Sequence, residues 1–266
     1  MAQVAEKYSI LLTIWADLDR ETQAFGPAVP GGVVSTTGIA GLTLGGGQGW
    51  LRRTYGMTCD SLLSADVITA EGEFVTASDT ECADLFWALR GGGGNFGIVT
   101  DFEYRPHPVG PMVTHAAAMY PVEAAATVLP GFRDSVETVP GAVNASATVG
   151  TVPNMPLFPE RLHGRSVIAV NGIYVGNRHR GEQVLHALRT LGDPLVDVSE
   201  PRAYRWVQQM FDVFFPKYSL RYYWKGLYLD SLCDAGISRL ADAFSRAKCR
   251  RFPCSSSGTG WRAHSR

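Results

Sequence analysis

The sequence predicts an α+β protein in two parts, and three observations carry that expectation. The composition is globular: 266 residues, 45% hydrophobic and 18% charged, supply apolar material for one or two domains with sizeable cores. Glycine is high at 29 residues and clusters in two places, Gly41 to Gly49 and Gly91 to Gly97, which suggests local backbone demands rather than diffuse flexibility. After RPHPVGP the glycine runs give way to strands interleaved with amphipathic helices. That change sets a domain boundary near Gly110 and implies an α+β or mixed layer architecture beyond it.

Each element follows from its own pattern. Trp15, Leu18, Thr22 and Phe25 in WADLDRETQAFG recur at helical spacing, and Gly26 stands where such a helix would end. The next stretch, PAVPGGVVSTTGIAGLTLGGGQGWLRRTYG, is too irregular for a strand and too apolar for a disordered linker, so it reads as a buried, ligand-lining loop. ADVITAEGEFVTAS reads as two strands joined at Glu71 and Gly72. ADLFWALR reads as a short helix with Asp84 as N-cap and Leu85, Phe86 and Leu89 on one face; IVTDFEYR, β-branched and aromatic, reads as a strand. In the second part ASATVGTV and SVIAVNGIYVG read as strands, RGEQVLHALRTLG and AYRWVQQMFD as helices, and SLRYYWKGLYLDSL as a further strand.

The four glycines of ALRGGGGNFGIV pose the functional question. Gly92, Gly94 and Gly97 fit the G-x-G-x-x-G dinucleotide fingerprint. In a Rossmann unit, however, such glycines follow a strand and open a helix whose N-terminus holds the phosphates. Here a helix precedes them and a strand follows, which argues against that fold; a glycine turn without a ligand stays open at this point. A formal net charge of −1 and a pI of about 6.6 give no electrostatic case for nucleic acid or an anionic membrane, and small neutral ligands fit better.

Several other chemistries lack a sequence basis. Cys59, Cys82, Cys233, Cys249 and Cys254 are odd in number and widely spaced, which argues against a disulfide framework or a zinc site; Cys59 reads as a small buried hydrophobe. The six histidines show no metal-ligand spacing, and neither a G-x-S-x-G elbow nor a P-loop occurs. Asp212 and Lys217 read as solvated charges. SILLTIWA is a poor signal peptide, and nothing approaches the roughly 18 apolar residues of a membrane span, so a cytoplasmic protein is expected.

Two long stretches together carry a family resemblance. GGVVSTTGIAGLTLGGGQGWLRRTYGMTCDSLLSADVITAEGEFV, followed by DLFWALRGGGGNFGIVTDFEYRPHP, closely resembles the PCMH-type FAD-binding domain of the vanillyl-alcohol oxidase superfamily, in its berberine-bridge-enzyme-like branch. The pattern runs roughly from Trp15 to Leu229. The resemblance implies an α+β architecture: part of an FAD-binding domain over residues 1–110, part of a substrate domain over 111–250 with an antiparallel sheet covered by helices, and an irregular tail over 251–266. It implies FAD lying against both glycine runs. Gly38, Gly41, Gly45 and Gly49 would let backbone N–H groups reach phosphates and flavin heteroatoms with no Cβ in the way. Tyr55 and Gly56 would close the same cavity, and Ile98 and Val99 would approach the adenine.

The departures from the pattern are as informative. Val34 stands where relatives with doubly tethered FAD carry a cysteine, so no thioether is expected, and Leu42 stands where many carry a histidine. The family's upstream R-x-GGHS-type loop has no counterpart, and RRFPCSSSGTGWRAHSR is unlike the family's C-terminal region, so the chain is expected to be truncated at both ends. In the strand RYYWK, alternation puts Tyr222 and Trp224 on one face; contact with substrate by stacking and ordinary packing under helices are both open. The resemblance implies an FAD-dependent oxidase that moves a hydride from an alcohol-type or similar organic substrate to flavin, with molecular oxygen as acceptor and a catalytic base that cannot be named. The alternative is a catalytically inactive fragment or a non-catalytic binding module. No metal, nucleic acid or membrane partner is expected.

Overall fold

Trp15, Leu18 and Thr22 fall one helical turn apart, and in the structure they form the buried stripe of the first helix. The structure is a computed structural model and describes residues 8–10, 13–156, 158–218, 226, 229, 231–246 and 254–256. In chain order its elements are β1 (Tyr8–Ile10), α1 (Trp15–Gln23), β2 (Pro27–Ala28), α2 (Ile39–Leu44), α3 (Arg52–Tyr55), β3 (Leu62–Ile68), β4 (Phe74–Ser78), α4 (Ala83–Leu89), β5 (Ile98–Tyr104) and β6 (His107–Pro108). There follow β7 (Met112–Pro121), α5 (Ala125–Thr138), β8 (Val143–Thr151), β9 (Ser166–Tyr174), α6 (Arg178–Arg189), β10 (Val196–Asp197), β11 (Glu200–Ala203), α7 (Tyr204–Gln209), α8 (Asp234–Arg246) and β12 (Cys254–Ser256). The mixture of helices and antiparallel sheets is the α+β class read from the sequence.

By contact the chain divides into two units, Met1–Val113 with Arg202–Arg221, and Thr114–Pro201 with Tyr222–Arg266. In the first, an antiparallel sheet in the order β1-β5-β3-β4 turns Ala65, Val67, Val99, Phe102 and Tyr104 into a core with Trp15 and Leu18 of α1, Ile39 of α2, and Phe86 and Leu89 of α4. Burying each large side chain contributes about 1.5–3 kcal/mol. The sequence reading kept all of 111–250 together, whereas residues 202–218 group with the first unit. Tyr204, Val207 and Gln208 of α7 are buried, and α7 lies on α1. A periodic stripe shows that a helix buries one face, not which element it meets.

In the second unit β10-β7-β9-β8-β12 form an antiparallel sheet, with β11 also paired on β7. Residues Ala116, Ala118 and Tyr120 of β7, Ala145 and Val149 of β8, and Ile168 and Val170 of β9 pack with Val128 and Phe132 of α5 and Leu185 and Leu188 of α6. Gly172 lets α6 settle closely, since a Cβ there would lie 2.6 Å from Leu188 Cδ1. The opposite face of this sheet therefore carries the alternate positions.

Three local expectations need correction. Phe25 is 72% exposed, because α1 closes at Gln23 and Gly26, at φ +95, turns the chain away. Cys82, left-handed at φ 47, is the N-cap of α4, and Asp84 lies in its first turn. The long glycine stretch holds the helix α2 rather than loop alone. The expected strand over residues 219–232, with Tyr222 and Trp224, lies outside the described residues except for a few positions.

One buried charge has a measurable consequence. Asp19 of α1 is 2% exposed; Gln208 Nε2 donates to its Oδ2 at 3.2 Å, and its Oδ1 has no partner among the described residues. Burial raises the carboxyl from 3.8 to about 7, against the weaker opposing effects of Gln208 and Arg205. The native state thus holds the proton more tightly than the unfolded chain. Stability from this group is greatest below the unfolded pKa and falls as pH rises from 3.8 to about 7, by up to about 4 kcal/mol. Urea midpoints measured between pH 5 and pH 8 should fall for the native chain and stay flatter for Asp19→Asn. Equal slopes would contradict this reading.

Candidate functional site

The site is built on α2 and the two glycine runs. On α2, Ile39 and Thr43 are one turn apart and buried. The Thr43 hydroxyl donates to Ile39 O at 2.9 Å and lies 2.6 Å from the Tyr104 hydroxyl of β5, which fixes the rear of the helix to the sheet. Burial pushes the Tyr104 phenol up, so that pair stays neutral. Gly38, Gly41 and Gly45 fall on the other side, three and four residues apart, and all are exposed. A Cβ at Gly38 or Gly41 would meet nothing within 4 Å. The helix thus presents bare backbone along one face. Gly41, inside the helix, costs about 1 kcal/mol of helix stability relative to alanine with no internal packing gained in return, whereas Gly38 and Gly45 cap its two ends.

The second glycine run lies beside the first. Gly93 N donates to Leu44 O at 2.9 Å, and Gly91 approaches Gly46 closely enough that a Cβ there would lie 3.9 Å from the Gly46 Cα. Arg90, at the end of α4, donates from Nε to Cys59 O at 3.0 Å, while Cys59 N and Thr58 N donate to Gly46 O and Gly47 O. These bonds hold the exposed residues Gly91, Gly92 and Gly94 next to the α2 face.

The remaining expected residues behave differently. Gly49 is buried, and a Cβ there would overlap the Gly31 carbonyl oxygen, so contact between two chain segments already explains the glycine. Gly56 sits at φ +82 in the turn where Asp60 Oδ2 accepts from Met57 N, and a Cβ would crowd that carboxylate at 2.6 Å. Tyr55 stacks on His107 at 4.2 Å and donates from its hydroxyl to Pro108 O. Its side chain thereby packs on the β2-β6 ribbon. Val99 is 7% exposed and points into the core opposite Val67. Ile98 is 69% exposed and falls in a cross-strand row with Ile68 and Phe74, both also exposed. Val34 and Leu42 are half-buried, and Cys59 is buried. Tyr222 and Trp224 lie outside the described residues.

Two groups were missed by sequence reading. Asp212, read as a solvated charge, is half-buried and accepts from Ser35 N at 2.7 Å and Ser35 Oγ at 2.5 Å. In the second unit, the sheet face away from the helices carries His115 and Asn144 flanking Ile173, and Ser146 beside Asn171. His115 and Asn144 are 2% and 5% exposed, and Ser146 Oγ is buried without a hydrogen-bond partner among the described residues. Alternation in VNASATV signals this polar face, but not that it would be buried. Among the described residues, no group of His, Cys, Asp or Glu side chains could hold a metal ion, and no helix is long and apolar enough to cross a membrane.

Residues 13–78, which include α2, match the FAD binding domain family. An FAD-linked oxidoreductase of Dictyostelium discoideum is 32% identical over 237 residues, 86% of this chain and 48% of its own length. A xylooligosaccharide oxidase of Thermothelomyces thermophilus is 30% identical over 224 residues, 79% of this chain and 42% of its own. The solved structure of a BBE-like protein from Physcomitrella patens shares the fold, with a TM-score of 0.73 at 23% identity over 91% of this chain and 54% of that one. The chain spans about half the length of the relatives it matches.

Proposed function

Because the chain belongs to the berberine-bridge-enzyme-like, FAD-linked family of the vanillyl-alcohol oxidase superfamily, we propose that the bare glycine face of its first unit is the bed of an FAD. The exposed glycines on α2 carry this reading. Gly38, Gly41 and Gly45 are all exposed, a Cβ at Gly38 or Gly41 would enter open space, and Gly41 costs the helix stability from within, a pattern that serves a ligand lying against backbone. Gly91 to Gly94 would border the same ligand, and Ile98 would offer it an apolar side chain. Gly49, Gly56 and Tyr55 would support the bed from behind through the packing described above. With Val34 and Leu42 in place, neither position offers a thiol or an imidazole to the flavin.

When bound, FAD supplies a two-electron acceptor; the chain's part is to hold and orient it. The reaction we propose is oxidation of an alcohol-type carbon, with molecular oxygen as the final acceptor and hydrogen peroxide as its product. Within that class, a hydroxyl-rich substrate is the one we propose. A relative named for xylooligosaccharide oxidation supports that substrate class. The catalytic base is unassigned. The test is the visible spectrum of the purified chain after incubation with FAD and desalting, followed by a peroxide assay with oligosaccharides and simple alcohols. A retained flavin spectrum is expected. A folded, colourless chain would overturn the reading.

A further inference from the structure

We propose that Asp212 is a positioning residue for the flavin-binding loop: its carboxylate clamps Ser35 and thereby sets the path of the chain into the glycine face of α2. This rests on the FAD reading above and adds a residue that no glycine motif contains. Ser35 is 1% exposed and held on three sides. Asp212 accepts from its backbone N at 2.7 Å and from its hydroxyl at 2.5 Å, and its own carbonyl accepts from Ala16 N at 2.9 Å. Two residues on, Thr37 O accepts from Trp15 N at 3.1 Å, and Gly38 then opens α2. The first N–H groups of α1, which a helix leaves without internal partners, are thus satisfied by the loop that Asp212 anchors.

The same segment grips the far end of the run. Phe211 packs its ring 5.5 Å from that of Trp50, the residue after Gly49. Two consecutive residues of the 202–218 segment therefore bracket the glycine run at Ser35 and Trp50, and Gln208 ties the segment to α1 through Asp19. A carboxylate that takes both a backbone N–H and a hydroxyl from one residue fixes that residue's position and orientation together, since each oxygen is committed to a different donor. Asn at 212 loses the charge and keeps one acceptor oxygen for the Ser35 N–H, so the Ser35 hydroxyl can no longer donate to a second carboxylate oxygen and the charge-assisted pair is lost. Loosening Ser35 would free Gly38 and the α2 entry without touching any residue of the glycine face.

The test uses the full chain and FAD itself. FAD affinity is measured by quenching of flavin fluorescence for the native chain, Asp212→Asn, Ser35→Ala, Ser35→Thr and the double variant Asp212→Asn/Ser35→Ala. Hydrogen exchange over residues 33–38 is followed in the absence of FAD. We expect Asp212→Asn and Ser35→Ala each to weaken binding at least tenfold and speed exchange over 33–38, the double variant to be little worse than either, and Ser35→Thr to bind like the native chain. Native affinity and native exchange in Asp212→Asn would overturn the inference while leaving the FAD reading standing. If Asp212→Asn fails to fold, Ser35→Ala decides, because it removes only the hydroxyl; unchanged affinity there would overturn the inference. A native chain that binds no FAD would remove both.

Discussion

Replacing Gly49 with alanine is expected to prevent the first unit from folding. The added Cβ would overlap the carbonyl oxygen of Gly31 and crowd the Gly32 carbonyl carbon at 3.3 Å. Both neighbours are backbone, and neither can rotate aside as a side chain would. Trp50 and Leu51 follow immediately and are buried, so moving this segment would pull them from the core. Overpacking of this kind costs about 1–3 kcal/mol where side chains can yield, and more where only backbone is available. Loss of soluble, cooperatively unfolding protein in Gly49→Ala is the expected result, read by circular dichroism and thermal melts. A variant that melts within a few degrees of the native chain would show that the approach of these two segments is not tight.

Gly41 gives the opposite expectation, although it stands in the same run. Its Cβ would point into open space, so alanine should stabilise α2 by about 1 kcal/mol through helix propensity. The same substitution should weaken FAD binding, and Gly41→Leu, whose side chain would lie along the exposed face, should weaken it more than tenfold. A loss of binding with unchanged or raised thermal stability separates a ligand-bearing glycine from a packing one. Parallel loss of both would make Gly41 another packing glycine.

Much of the fold was legible because its signals are local. The α1 stripe, the β3-β4 hairpin around Gly72, and strands β8 and β9 follow from periodicity and turn residues. Helix α2 was not, since Gly41 lies inside it and only the anchoring of Ile39 and Thr43 on the sheet makes it helical. Helix α5 and strand β7 were also unannounced: Pro130 sits inside the former, and β7 carries three alanines in a row at its centre. At the proposed site, glycine spacing pointed to the run but could not sort its members. Whether Gly41 faces solvent and Gly49 faces Gly31 depends on which segments meet, and that is long-range information. For the same reason Asp212, 177 residues from Ser35, looked like a surface charge.

The most direct measurement of the central claim is amide hydrogen exchange of the native chain with and without saturating FAD. If the glycine face is the bed, FAD should slow exchange over residues 38–46 and 91–98 and leave the second unit's helices α5 and α6 unchanged. FAD binding that protects other segments while leaving those two at their free rates would contradict it.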